Sequence, residues 1–97
     1  MYAVIFTSTL SADSAGYEDT AQRMLELCAE QPGFISADSV RGEDGRGTTV
    51  CMWESTEAIE AWARHPEHRR AQREGAVRWY LDYEVTVCEV LERPHRA

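Results

Sequence analysis

The sequence predicts an α+β fold: a four-stranded antiparallel sheet with two helical segments on one face. Two observations carry this prediction. Four short segments are dense in Val, Ile, Phe, Tyr and Thr, and two segments between them carry apolar residues at helical spacing. Their order is β-α-β-β-α-β, the split pattern of a ferredoxin-like sandwich. Length is a third observation. The 97 residues allow one domain, of a size that buries only about 60–65% of the unfolded chain's surface.

Residues 2–9 form a strand by composition; the apolar N-terminal stretch is too short for a membrane span, and with no basic n-region before it, it is not expected to be a signal peptide. A turn cluster follows over 11–16. Tyr17, Ala21, Met24, Leu25 and Cys28 then lie on one helical face, and Pro32-Gly33 ends that helix. Residues 34–41 read as the second strand, 42–47 as a hairpin-type link and 48–54 as the third strand. Ser55 is placed to cap a second helix carrying Ala58, Ile59 and Trp62. His65-Pro66 interrupts it, and Pro66 suits the first turn of a continuing, slightly bent helix that runs towards Trp79. Residues 81–91 form the fourth strand. The domain is expected over residues 1–92, with a frayed C-terminal tail over 93–97.

A sheet with helices on one face should alternate apolar and polar residues. These strands do not: Val4 and Phe6 oppose Ala3 and Ile5, and Val50 and Met52 oppose Cys51 and Trp53. Something must cover the second face, and no chain is left over to do it. A homodimer, two sheets face to face, is therefore expected.

The charge excludes several functions. There are 17 acidic residues against 10 basic ones, all arginine, for a net charge of −7. Phosphate neutralisation needs a basic surface, so nucleic acid is excluded as a partner, and so is a polybasic membrane anchor. Three cysteines without CxxC spacing argue against a zinc site or a disulfide framework and point to the cytoplasm. Each is expected to be a buried small hydrophobe. No phosphate loop or nucleophile elbow is present, which removes nucleotide-dependent and acyl-transfer chemistry.

Four strings, QPGF at 31–34, WESTEAIEAW at 53–62, HPEHRRAQREG at 65–75 and WYLDYEV at 79–85, resemble the antibiotic biosynthesis monooxygenase (ABM) superfamily. The resemblance spans nearly the whole chain and implies a dimeric α+β barrel. It also implies chemistry of two kinds. One is cofactor-independent oxygenation of aromatic substrates, which needs an apolar pocket, a nearby base and donors for a developing anion. The other is haem degradation, for which the family pattern places an Asn on strand one, a Trp on helix two and a His about three turns on. Trp62 matches the Trp. The His position falls at or next to Gln72 and the Asn position near Thr7 or Ser8, and the chain has no asparagine. Two departures of three argue against conventional haem degradation.

The candidate catalytic residues are His68 and His65, three apart and able to face one side as a general base or a haem ligand. Two histidines are an incomplete metal site, so no metal is expected. The bland alternative has His65 capping the helix at Pro66 and His68 packing on the barrel rim. The candidate ligand-binding residues are Trp62, Tyr83, Gln72 and Trp79. Tyr83 shares a strand face with Leu81 and Val85, which places its ring inside. Trp53 reads as core or dimer interface. Asp38 and Glu54 are rival bases if turned into the pocket. Arg69, Arg70, Arg73 and Arg78 are expected to pair with Glu67, Glu74 and neighbours, Glu67 otherwise being solvated, and Gly75 to permit close helix–sheet approach. The expected protein is a cytoplasmic homodimer that acts on a small hydrophobic, aromatic metabolite with O₂ and without an organic cofactor. The alternatives are a non-catalytic ligand-binding dimer and a haem-binding or haem-modifying member.

Overall fold

The computed structural model describes residues 1–92; the expected tail over 93–97 lies outside the described residues. The element order is β1 (Tyr2–Leu10), α1 (Tyr17–Ala29), β2 (Phe34–Arg41), β3 (Arg46–Trp53), α2 (Thr56–Ala63), α3 (Pro66–Glu74), a π-helical turn (Gly75–Trp79) and β4 (Tyr80–Glu89). The four strands form one antiparallel sheet in the order β2-β3-β1-β4. This is the α+β, ferredoxin-like arrangement the sequence predicts.

The second helical segment is broken more sharply than a bend. Ser55 caps α2, its hydroxyl accepting from the Ala58 amide at 3.1 Å. Pro66 then opens α3 at its first turn, where a missing N–H costs nothing. Beyond Glu74 the ladder widens, and the Tyr80 amide donates to the Gly75 carbonyl five residues back. Gly75 permits this: a Cβ there would stand 2.5 Å from Cε2 of the Tyr80 ring. The close approach expected of Gly75 is therefore made to an aromatic ring on β4.

The core lies between the helices and one face of the sheet. Leu27, Cys28, Trp53 and Trp62 are buried together, with Val4, Met24, Phe34, Cys51, Ala58 and Ile59 packed around them. Trp53 is the core tryptophan its strand position suggests, with Phe34 edge-on to it at 5.7 Å. Of the cysteines only Cys28 is fully buried; Cys51 and Cys88 are half-buried. Cys28 is hydrogen-bonded to Cys51, which together with burial pushes its thiol up.

The two faces of the sheet are used differently. Register puts Val4, Phe6 and Ser8 of β1 on the helix side, beside Val87, Val85 and Tyr83 of β4. The outer face carries Ala3, Ile5, Val50, Met52 and Cys88. Coverage of the helix side is uneven, because α1 packs chiefly on β2 and α2 on β3. The helix-side residues of β4 stay open: Tyr83, Val85 and Val87 are 54, 55 and 53% exposed. The expectation that Tyr83 is inside is thereby corrected; its strand face points towards the helices, but no helix covers β4 from Tyr83 to Val87.

A bulge shapes this edge. Pairing between β1 and β4 shifts between Thr9 and Leu10, which face Asp82 and Tyr80 and leave Leu81 without a partner. Three residues apart on a regular strand, Tyr80 and Tyr83 would face opposite sides. The extra residue brings both rings to the helix side, 6.0 Å apart.

Candidate functional site

The predicted site residues fall into two groups on the helix side of the sheet. The first sits at the junction of α2 and α3. Helix α2 ends with unsatisfied carbonyls, and that of Trp62 receives the His65 amide at 3.1 Å. The same carbonyl lies 3.0 Å from Nδ1 of His68. A carbonyl only accepts, so Nδ1 carries the proton and Nε2 holds the lone pair. The His68 ring stacks on the Trp62 indole, centroids 4.1 Å apart and planes 10° from parallel. Burial pulls the His68 pKa below the usual histidine range, with the hydrogen bond to Trp62 opposing and nearby His65 assisting. His68 is therefore a neutral imidazole at pH 7, oriented through one nitrogen and basic at the other.

His65 is occupied differently. It is the N-cap of α3, with Nδ1 accepting from the Glu67 amide at 3.2 Å. Its ring lies 5.6 Å from that of Trp62. Glu67 is not a freely solvated carboxylate: it takes two hydrogen bonds from Arg23 on α1, at 3.0 and 3.1 Å. Among the arginines of the α3 region, Arg78 pairs with Glu74 at 2.9 Å. Gln72 lies on the exposed side of α3. Asp38 and Glu54 are also exposed, and Asp38 stands opposite Val50 on the outer face.

The second group is aromatic. Phe6 packs edge-on to Tyr80 at 5.3 Å and tilted against Tyr83 at 6.2 Å. Tyr17, at the start of α1, contacts Tyr80 at 5.9 Å and Trp79 at 5.6 Å. Trp79 is buried, and its indole N–H donates to the Ala15 carbonyl at 3.0 Å, which ties the α1 approach loop to the π-turn. β1 joins the two groups. Val4 packs on the Trp62 cluster, and Phe6, about 7 Å further along the strand, meets the tyrosines.

Pairs Val4/Val87, Phe6/Val85 and Ser8/Tyr83 make one continuous strip of β1 and β4. It is apolar from Val4 to Val85, runs from the cluster that holds Trp62, and ends at phenols. Such a strip suits a flat apolar ligand. Among the described residues no cluster of three His, Cys, Asp or Glu side chains is placed to hold a metal ion. No helix among them is long and apolar enough to cross a membrane.

Sequence reasoning gives no site role to Tyr17, Tyr80, Arg41 or Ser8, which stand together at the phenolic end. Arg41 donates to Ser8 Oγ at 2.8 Å and to the Tyr17 hydroxyl at 3.1 Å. The sequence places Gly47 in the link before the third strand; the structure begins β3 at Arg46 and so puts this glycine inside a strand, where glycine often marks close approach of another group.

Comparison with known proteins fixes the family. The model for the antibiotic biosynthesis monooxygenase family matches residues 1–74. The chain belongs to that family. It is 49% identical over 89 residues to the uncharacterised protein YqjZ of Bacillus subtilis (strain 168), covering 92% of this chain and 78% of YqjZ. Among solved structures, Rv0793 from Mycobacterium tuberculosis superposes with a TM-score of 0.85 at 17% identity, covering 97% of this chain and 98% of that one. SnoaB, a cofactor-independent oxygenase from Streptomyces nogalater, gives a TM-score of 0.82 at 15% identity, covering 98% of this chain and 97% of that one. At such identities the structural likeness concerns the ABM fold.

Proposed function

We propose that this ABM-family protein oxygenates a small hydrophobic aromatic metabolite with O₂ and without an organic cofactor. The observation that carries the reading is His68. Its Nδ1 proton is fixed on the Trp62 carbonyl, its pKa is lowered by burial, and Nε2 is left as the basic atom. A neutral imidazole with one nitrogen unprotonated is what removal of a phenolic or enolic proton requires. The substrate anion so formed is electron-rich enough to reduce O₂, so the protein's part is to bind, orient and deprotonate. Trp62 and Tyr83 hold the ring along the strip, and Trp79 backs Tyr17 at its phenolic end. His65 acts by capping α3 and so holding His68 in place. The description of SnoaB as a cofactor-independent oxygenase agrees with this chemistry.

The functional unit is a cytoplasmic homodimer. Its outer sheet face carries Ile5, Val50 and Met52 with no helix over it, and a second copy of the same face would bury them.

Oxygen uptake with a panel of anthrones and hydroquinones tests the reading. Uptake above the uncatalysed rate that falls in His68→Gln supports it. No uptake above that rate sinks it and leaves a ligand-binding dimer. A Soret shift on hemin titration, lost in His68→Gln, would move the reading to the haem-binding alternative.

A further inference from the structure

Arg41 is the one described arginine that is not solvent-exposed, and no carboxylate among the described residues pairs with it. Neutral oxygens hold it instead. Nη1 donates to the Gly45 carbonyl at 2.6 Å and the Ser8 carbonyl at 3.2 Å; Nη2 donates to Ser8 Oγ and the Tyr17 hydroxyl. The three described ion pairs all belong to exposed arginines. A half-buried cation with no counter-ion, in a chain of net charge −7, is an unfavourable arrangement that a purely structural tie would not need.

The sheet is shaped to accept it. Arg41, Gly47, Ser8 and Tyr83 stand side by side in register across all four strands, on the helix side. Gly47 is the bed of the guanidinium: a Cβ there would stand 2.5 Å from Arg41 Cζ. Arg41 can thus lie across the sheet and reach the phenolic end of the strip. The Tyr17 oxygen accepts from Arg41 and from the Tyr80 hydroxyl, which leaves the Tyr17 O–H free to donate. Burial, and the Tyr17 hydroxyl beside it, push the Tyr80 phenol up, so Tyr80 stays a protonated donor.

We propose that Tyr17, Tyr80 and Arg41 form an oxyanion-recognition site. A small aromatic bearing a phenolate or carboxylate lies on Phe6 and Tyr83, its charged oxygen taking the Tyr17 proton, with Tyr80 donating in turn to Tyr17, in the field of Arg41. The inference deepens the proposed function, since it names the charge the ligand carries, and it rests on the strip described above.

Three ligands of one size test it: 4-nitrophenol, whose phenolate is coloured, 4-nitrobenzoate, and the neutral ether 4-nitroanisole. An anion that gains charge-assisted hydrogen bonds binds ~10- to 100-fold tighter than the ether. Bound nitrophenol also shows its phenolate colour at a pH where the free ligand is protonated. Tyr17→Phe and Tyr80→Phe remove the donors and keep the rings; in each the preference shrinks while the circular dichroism spectrum is unchanged. Equal affinity for ether and anions, or a preference that survives in the folded double variant, overturns the proposal. Whichever anion binds tighter, phenolate or carboxylate, identifies the acid group. Discrimination without oxygen uptake refutes the oxygenase reading and keeps this site; uptake without discrimination does the reverse.

Discussion

His68 stacks on Trp62 and bonds to the carbonyl of that same residue, centroids 4.1 Å and Nδ1 to oxygen 3.0 Å. The end of α2 thus fixes both the plane of the imidazole and its tautomer. A general base so oriented contributes about 10²- to 10⁴-fold to a rate. His68→Gln should lower oxygen uptake by that order, and kcat should fall more than KM rises. Retained uptake in His68→Gln would remove His68 from the chemistry.

The same histidine sets a pH dependence. Its folded pKa is depressed by burial below the ordinary value, which is about 6.5 in an unfolded chain. The unfolded chain therefore takes up the proton first as the pH falls. Stability linked to His68 is fully present above about pH 6.5 and is lost as the pH drops through the lower folded value. Urea unfolding at a series of pH values should show this slope in the wild type and a shallower one in His68→Gln. Equal slopes would mean that His68 is not the linked group.

Gly75→Ala tests the packing of the π-turn on β4. Alanine gains about 1 kcal/mol of helix propensity. Its Cβ would nevertheless meet the Tyr80 ring at 2.5 Å, and overpacking costs about 1–3 kcal/mol. A net loss of stability is expected, with a change in tyrosine near-UV dichroism. A stabilised Gly75→Ala would show that the ring moves aside at no cost.

Gly47→Ala addresses the bed of Arg41. The guanidinium is the flexible end of its side chain and can swing away, so the clash itself is mild. Its departure leaves Ser8, which is fully buried, without its bond from Nη2. An unsatisfied buried hydroxyl costs about 1–3 kcal/mol. Denaturant midpoints check the loss, and Ser8→Ala in the same background should recover part of it.

A charge on the outer face should break the homodimer. Val50 stands opposite both Ile5 and Asp38, on strands β1 and β2. Val50→Glu is expected to give a monomer by light scattering, with the domain still folded. A wild-type chain that is monomeric at micromolar concentration would remove the dimer from the reading.

Much of the fold was legible because period and punctuation are local. Phe34–Arg41 was read with its observed bounds, since Pro32-Gly33 and the glycine-rich link delimit it. Ser55 and Pro66 act as the caps their types predict. The break before α3 and the widening after Glu74 were less legible, because the space between the last helical turn and the Tyr80 ring decides them. The bulge at Leu81 has no local signal, and the exposure of Tyr83 has none either, because it depends on which strands the helices cover.

The candidate site divides along the same line. Sequence by itself determined the element order, the family resemblance, and the candidacy of His65, His68 and Trp62, because residue type and helical spacing carry that information. Only the tertiary structure decided that His65 spends its Nδ1 on a cap while His68 keeps a basic Nε2. It alone placed Arg41 over Gly47 and against Ser8 and Tyr17, residues from three strands and a helix. Such contacts come from strand register and from which helix lies over which strand. These are set by the packing of the whole sheet, and no short stretch of sequence encodes them.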